Sequence, residues 1–144
     1  MIISHTTDMA LVKRLITSDG IWENLSTKGL DKETFEPVKD WQYVIGEVDG
    51  EAVGLGIIHK IQSGYNKCHV QVLPKYRKEH GIKFGLDGMK FIWVNNTFDF
   101  MVASISSKFP NVRKFAELMG FEHVETKPNW YREHDAWLFV AKRK

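Results

Sequence analysis

Four cationic side chains, Lys75, Arg77, Lys78 and Lys83, cluster between Pro74 and Gly85. A β-type run, Cys68 to Leu73, leads into them. Ile82, Gly85, Leu86, Met89, Ile92 and Trp93 then recur at i, i+3, i+4, i+7 spacing, which predicts one buried face of a helix starting near Gly81. Strand, basic loop and helix start suit an anion. The first main-chain N–H groups of a helix have no partner within it, and the macrodipole adds partial positive charge there. Arg77 and Lys78 stand just upstream of those groups, so the stretch reads as a cradle for a pyrophosphate. The same cations suit nucleic-acid phosphates, but their small number and confinement to one turn argue against that partner.

Other constellations yield less chemistry. The six histidines show no paired ligand spacing and Cys68 has no partner cysteine, so no zinc site is expected. His80 beside Glu79 and His134 beside Asp135 read as surface pairs, and Glu47 and Glu51 as solvated carboxylates flanking a hairpin. No Walker A or dinucleotide glycine motif occurs.

The 144 residues, 43% hydrophobic and 26% charged, predict one domain, 1–144, burying about two thirds of its unfolded surface. A net charge of +2 lacks the basic stripe of a dedicated nucleic-acid binder. The closing Lys142-Arg143-Lys144 reads as a solvated tail. The lone cysteine fits a reducing compartment. No apolar run approaches the ~20 residues that span a bilayer, and the start lacks a signal-peptide layout. A soluble cytoplasmic protein without a membrane partner is expected.

The elements that position the basic stretch follow in order. Ile2-Ile3-Ser4 is a short strand, and Thr6-Thr7-Asp8 supplies the cap of a helix running to about Thr17. Short helical turns are expected at Trp22 to Leu25 and Asp31 to Phe35. Trp41 to Val48 and Glu51 to Ile61 form two strands about Asp49-Gly50, a strong hairpin signal. Ser63-Gly64 turns the chain into the central strand. Phe100 to Ser104 is a further strand. Pro110 opens a helix burying Val112, Phe115, Ala116 and Met119, with Gly120 as its C′ residue and Phe121 as the accompanying contact. Phe121 to Thr126 and Ala136 to Ala141 are two final strands, joined by a polar, aromatic loop from Lys127 to His134. The fold class is α/β (α+β): a mixed, largely antiparallel sheet of six to seven strands flanked by helices, in the order β-α-α-β-β-β-α-β-α-β-β.

Val72, Pro74, Arg77 and Gly81 stand in the order of motif A of the GNAT superfamily, the acetyl-CoA-dependent N-acyltransferases, and this stretch resembles it. Its loop is one residue longer than usual, and Lys83 replaces the second loop glycine. Asn111 to Phe121 resembles the family's motif B, whose helix ends in Gly-Phe. The hairpin pattern at Asp49-Gly50 is also similar to the family's second hairpin. The wording of Pro74-Lys-Tyr-Arg and Ser107-Lys-Phe-Pro-Asn-Val most resembles small GNAT-like proteins of tailed bacteriophages.

The resemblance implies an acetyl-CoA-dependent N-acetyltransferase acting on a small-molecule or protein amine. Its coenzyme grip would comprise Val70, Val72 and Leu73 for the pantetheine. Arg77, Lys78, His80, Gly81, Ile82, Lys83 and Gly85 at the helix start, with Asn111, would hold the rest. It makes His69 the candidate base, because imidazole titrates near neutrality; the other reading is a hydrogen-bonded histidine within the sheet. The family's usual acid, a tyrosine four residues before the Gly-Phe glycine, is Ala116 here. Tyr131, Ser106 or Ser107 would have to substitute, while Tyr131 with Trp130 also reads as ordinary hairpin packing. A catalytically degenerate GNAT-fold protein serving phage assembly is the rival reading, with a homodimer or a phage protein as partner.

Overall fold

The computed structural model describes residues 1–25, 30–61, 65–131 and 133–144. The turn expected at Ser63-Gly64 lies outside them. The elements are β1 (Ile2–Thr6), α1 (Met9–Ile16), α2 (Trp22–Leu25), β2 (Gln42–Val48), β3 (Glu51–Lys60) and β4 (Asn66–Val72). A 3-10 turn, Pro74–Tyr76, then leads into α3 (Arg77–Val94), β5 (Phe100–Ser106), α4 (Pro110–Leu118), β6 (Glu122–Tyr131) and β7 (His134–Lys142). One seven-stranded sheet runs in the order β1-β2-β3-β4-β5-β7-β6. Every pairing is antiparallel except β4 with β5. The expected element order and fold class are met.

Side chains alternate across the strands, giving the sheet two apolar faces. Tyr43, Ile45, Leu55 and Ile57 pack with Val12, Leu15 and Ile16 of α1. Val44, Ile58, Cys68 and Met101 pack with Met89 and Ile92 of α3 and with Ala116 of α4 and its capping residue Met119. Asp8 caps α1 by accepting from the Leu11 N–H at 3.1 Å, as its side chain predicts. Gly120, at φ +95, ends α4. The Gly120 N–H donates to Glu117 O and the Phe121 N–H to Ala116 O, the paired bonds of a Schellman cap.

Helix α3 departs from expectation twice. It begins at Arg77, not near Gly81, because the Pro74–Tyr76 turn feeds straight into it: the Arg77 N–H already donates to Pro74 O. Arg77 and Lys78 are therefore first-turn residues rather than a loop. Its buried face is also rotated. Ile82 and Leu86 are exposed, while Gly81, Phe84, Gly85, Gly88, Met89 and Ile92 are buried. Phe84 decides this. A Cβ at Gly54 would run into the Phe84 ring, and one at Gly46 would stand 2.9 Å from it. Bare glycines on β2 and β3 thus form a seat for that ring.

Three smaller corrections concern the later elements. Val112 is 42% exposed and does not join the buried face of α4. The expected Lys127–His134 loop is mostly strand, since β6 and β7 extend to Tyr131 and back from His134 with register shifts between them. Pro128 is tolerated there because β6 is an edge. Arg143 is no solvated tail. Its guanidinium donates to Trp93 O at 2.7 Å, Asn96 O at 2.6 Å and Phe98 O at 2.8 Å. It thereby meets the carbonyl end of α3, where a cation is favourable.

Candidate active site

The parallel ladder between β4 and β5 has two register pairs, Asn66 with Met101 and Lys67 with Val102. Beyond them the strands part. Main-chain parity shows which groups this leaves open. Leu73 N donates to Val53 O, and Ile61 N to Tyr65 O. With the β3–β4 register, this turns the main chain of residues 67, 69 and 71 toward β3. Cys68, Val70 and Val72 therefore turn their N–H and C=O toward β5. From β5, Ser107 N donates to Asp135 O and Arg143 N to Asp99 O. By the same alternation Ser104 and Ser106 turn theirs toward β4. Past the Lys67–Val102 pair, which engages the Cys68 N–H, the main-chain groups of Val70, Ser104 and Ser106 line the gap without a sheet partner.

A cleft of about 400 Å³ fills this gap, within the range of small-molecule sites. Since β4 and β5 are central to the sheet, the cleft reaches both faces. Phe115 and Ala116 of α4 and its capping residue Met119 wall one side; Glu23 and Asn24 of α2 border the other. His69 and Tyr131, far apart in sequence, both line it. The Tyr131 and Ser104 hydroxyls are 2.7 Å apart. Ala116 is buried and offers no hydroxyl. Of the other hydroxyls that could replace the missing acid, Ser106 lines the cleft, but its Oγ accepts from Lys108 N. Ser107 Oγ accepts from Asp135 N at 2.9 Å.

His69 stands opposite Ile57 on β3, on the α1–α2 face. Its Nε2 is 3.3 Å from Nε2 of His59. The two rings are parallel within 8°, and Trp41 stacks on His59 at 3.8 Å between centroids. Burial, aided by the charge of Lys67 and then by His59, lowers the His69 pKa to about 4. The ring is neutral at physiological pH. Burial also lowers His59, opposed by its bond to the Lys60 carbonyl. The Cys68 thiol is pushed up to about 12 by burial, which leaves it inert as a nucleophile.

The basic stretch is divided. The Arg77 guanidinium donates from Nε to Val72 O at 2.9 Å and from Nη2 to Gly20 O at 2.7 Å. Lys78 is exposed in the first turn. His80 lies 3.8 Å from Glu79, and Lys83 pairs with Asp87 at 3.1 Å. Ile82 is on the exposed face, and Asn111 is exposed at the start of α4. Gly85 meets α4 directly: a Cβ there would run into Met119 Sδ and stand 2.6 Å from Phe115 Cζ. A Cβ at Gly81 would meet nothing within 4 Å. Gln71, Ser104 and Glu23 also line the cleft, and no pattern in the chain signals them. Their shared location depends on strand register and on the parting of β4 from β5.

No family model matches the chain, and no curated protein matches its sequence. Solved structures do match it in shape. A protein from Desulfovibrio desulfuricans assigned to the GNAT family of acetyltransferases superposes with a TM-score of 0.75 at 16% identity, over 98% of each chain. A chimera of the spermidine N-acetyltransferase SpeG from Vibrio cholerae and hSSAT gives 0.75 at 9% identity, over 99% of this chain and 96% of that one. The aminoglycoside acetyltransferase AAC(6')-Ib, solved with coenzyme A and kanamycin, gives 0.71 at 15% identity, over 98% and 94%. At these identities the likeness is one of architecture, and this chain has the fold of the GNAT acetyltransferases.

Proposed function

We propose that this protein moves the acetyl group of acetyl-CoA to the nitrogen of an amine. The observation that carries this is the parting of β4 and β5, which opens the Val70 main chain to a walled cleft. Main-chain donors hold amide and thioester oxygens whatever the side chain, and fixed donors stabilise developing oxyanion charge. Acetyl-CoA, when bound, supplies the activated acyl group. Val70 and Val72 hold the pantetheine arm; Leu73, expected to join them, has its N–H on Val53 O and its carbonyl on Tyr76 N and no main-chain group to offer. Lys78 and the first turn of α3 up to Gly81 meet the diphosphate, while Arg77 fixes that turn to Val72 and Gly20 from behind. The open space beside Gly81 suits a close approach of an anion to the helix.

His69, neutral and at the cleft, accepts the proton that the amine nitrogen gives up. The Tyr131–Ser104 hydroxyl pair supplies a proton donor in place of the tyrosine that Ala116 lacks. The acceptor is a small-molecule or protein amine in the cytoplasm. Calorimetric titration with acetyl-CoA tests the reading: saturable heat is expected, and no binding at millimolar ligand would overturn it.

Ala116 favours a second reading, a GNAT-fold protein that has lost turnover and serves phage assembly by binding another protein. Acetylation of any amine in a broad panel, abolished by Lys78→Glu, would refute it.

A further inference from the structure

We propose that His59 is the second station of a two-imidazole proton relay that begins at His69. Its use in catalysis rests on the acetyl-transfer reading, whereas its geometry stands without it. His59 Nδ1 lies 3.3 Å from the Lys60 carbonyl oxygen, an atom that only accepts, so Nδ1 carries the hydrogen. A neutral His59 then presents a bare Nε2. The Nε2 of His69, 3.3 Å away, must be the donor of that contact. This leaves the His69 lone pair on Nδ1. Among the described residues no partner meets Nδ1, and no buried side-chain nitrogen or oxygen lacks a partner. That lone pair belongs to a residue that lines the cleft.

The tautomers set a direction. As the amide bond forms, the amine nitrogen loses one proton to Nδ1 of His69. The Nε2–H bond of His69 breaks, and an N–H bond forms at Nε2 of His59. His69 is again neutral and His59 is an imidazolium. The charge is better held there. His59 keeps its bond to the Lys60 carbonyl and lies against the face of Trp41, which favours a cation. Lys67 on β4 is the charged group acting on the pair and disfavours an imidazolium at either histidine; Glu23 on α2 lines the same cleft as His69, its carboxylate accepting from Gly20 N at 2.7 Å. When the thiolate leaves it takes the proton of the Tyr131 hydroxyl. The proton held at His59 returns by the same path, from His59 to His69 Nε2 and from His69 Nδ1 to the Tyr131 oxygen across the cleft that both residues line. Both tautomers are restored and no proton is exchanged with solvent.

Long-range 1H–15N correlation spectra of histidine-labelled protein at neutral pH test the pair, with His59→Phe and His69→Gln for assignment. His59 is expected as the Nδ1–H tautomer and His69 as the Nε2–H tautomer. A hydrogen on His69 Nδ1 would overturn the relay. The phenyl ring of His59→Phe keeps the stack on Trp41 but cannot carry a proton. It should lower kcat about tenfold with unchanged KM for the amine and unchanged acetyl-CoA affinity; an unaltered kcat would overturn the proposal. Should His59→Phe fold poorly, His59→Asn serves with the same readouts. The spectra are decisive even if no amine is acetylated: reversed tautomers refute the relay, and the expected ones sustain it.

Discussion

Arg77 joins Gly20 across 57 positions of sequence, its Nη2 donating to the Gly20 carbonyl at 2.7 Å while Nε donates to Val72 O. The contact ties the turn before α2 to the turn before α3. Gly20 has φ +83, and a Cβ on it would run into Pro74 Cγ, so the two turns touch where the arginine binds them. Arg77→Ala should destabilise the fold by about 1–2 kcal/mol, the charged hydrogen bonds being partly solvated. Urea denaturation reads this directly. Arg77→Lys should restore little, because an ammonium cannot reach both carbonyls with a planar fork. A loss of acetyl-CoA affinity with no loss of stability would instead make Arg77 a direct ligand of the diphosphate.

Two glycines of α3 should answer oppositely to one methyl group. At Gly85 a Cβ runs into Phe115 of α4 and its capping residue Met119, so Gly85→Ala should cost about 1–3 kcal/mol through overpacking. At Gly81 a Cβ meets nothing, and Gly81→Ala should gain about 0.5–1 kcal/mol from helix propensity. If the diphosphate lies against that turn, Gly81→Ala should also weaken acetyl-CoA binding while raising the denaturation midpoint. Calorimetry beside thermal melting separates the two effects.

The contrast marks how far the sequence can be read. Local chemistry announces the Asp49-Gly50 hairpin and the Gly120-Phe121 cap, and both stand where their residues put them. The i, i+3, i+4 repeat places α3 and finds Gly85, Met89 and Ile92 on its buried side, but it sets the face too far round, because Ile82 and Leu86 look like core residues and Gly81 and Gly88 do not. What turns the helix is the fit of Phe84 over Gly46 and Gly54, a contact between elements that no repeat within α3 encodes. Arg77 looks free in the sequence for the same reason: its carbonyl partners come from a strand end and from a glycine in the first third of the chain. His69 and Tyr131 each stand out alone, whereas their common cleft depends on β4 and β5 separating after two pairs.

Tyr131 is 39% exposed and shares a 2.7 Å contact with Ser104. Tyr131→Phe keeps the ring against the hairpin and removes the hydroxyl. If this hydroxyl protonates the leaving sulfur, kcat should fall on the order of 100-fold, with little change in stability. Ser104→Ala should reproduce only part of that loss, since it removes the partner rather than the donor. Steady-state kinetics on any accepted amine decide it, and equal kcat in Tyr131→Phe and the unaltered protein would remove Tyr131 from the chemistry.

His69 also makes stability depend on pH. Its pKa falls from the ordinary 6.5 to about 4 on folding, so between those values the unfolded chain binds a proton that the folded chain refuses. Protonation of the unfolded state drains the folded one. Stability should be flat above about pH 6.5, decline as pH falls through that window, and level off for this group below about 4. Because His69 edges a cleft and water screens part of the charge, the loss should be about 2 kcal/mol rather than the full linkage value. His69→Gln removes the titrating group and should flatten that limb of the curve in denaturant titrations from pH 7 to pH 4. A limb that persists unchanged in His69→Gln would assign the effect to other groups and would mean that His69 is more fully solvated than its contacts with His59 and β3 imply.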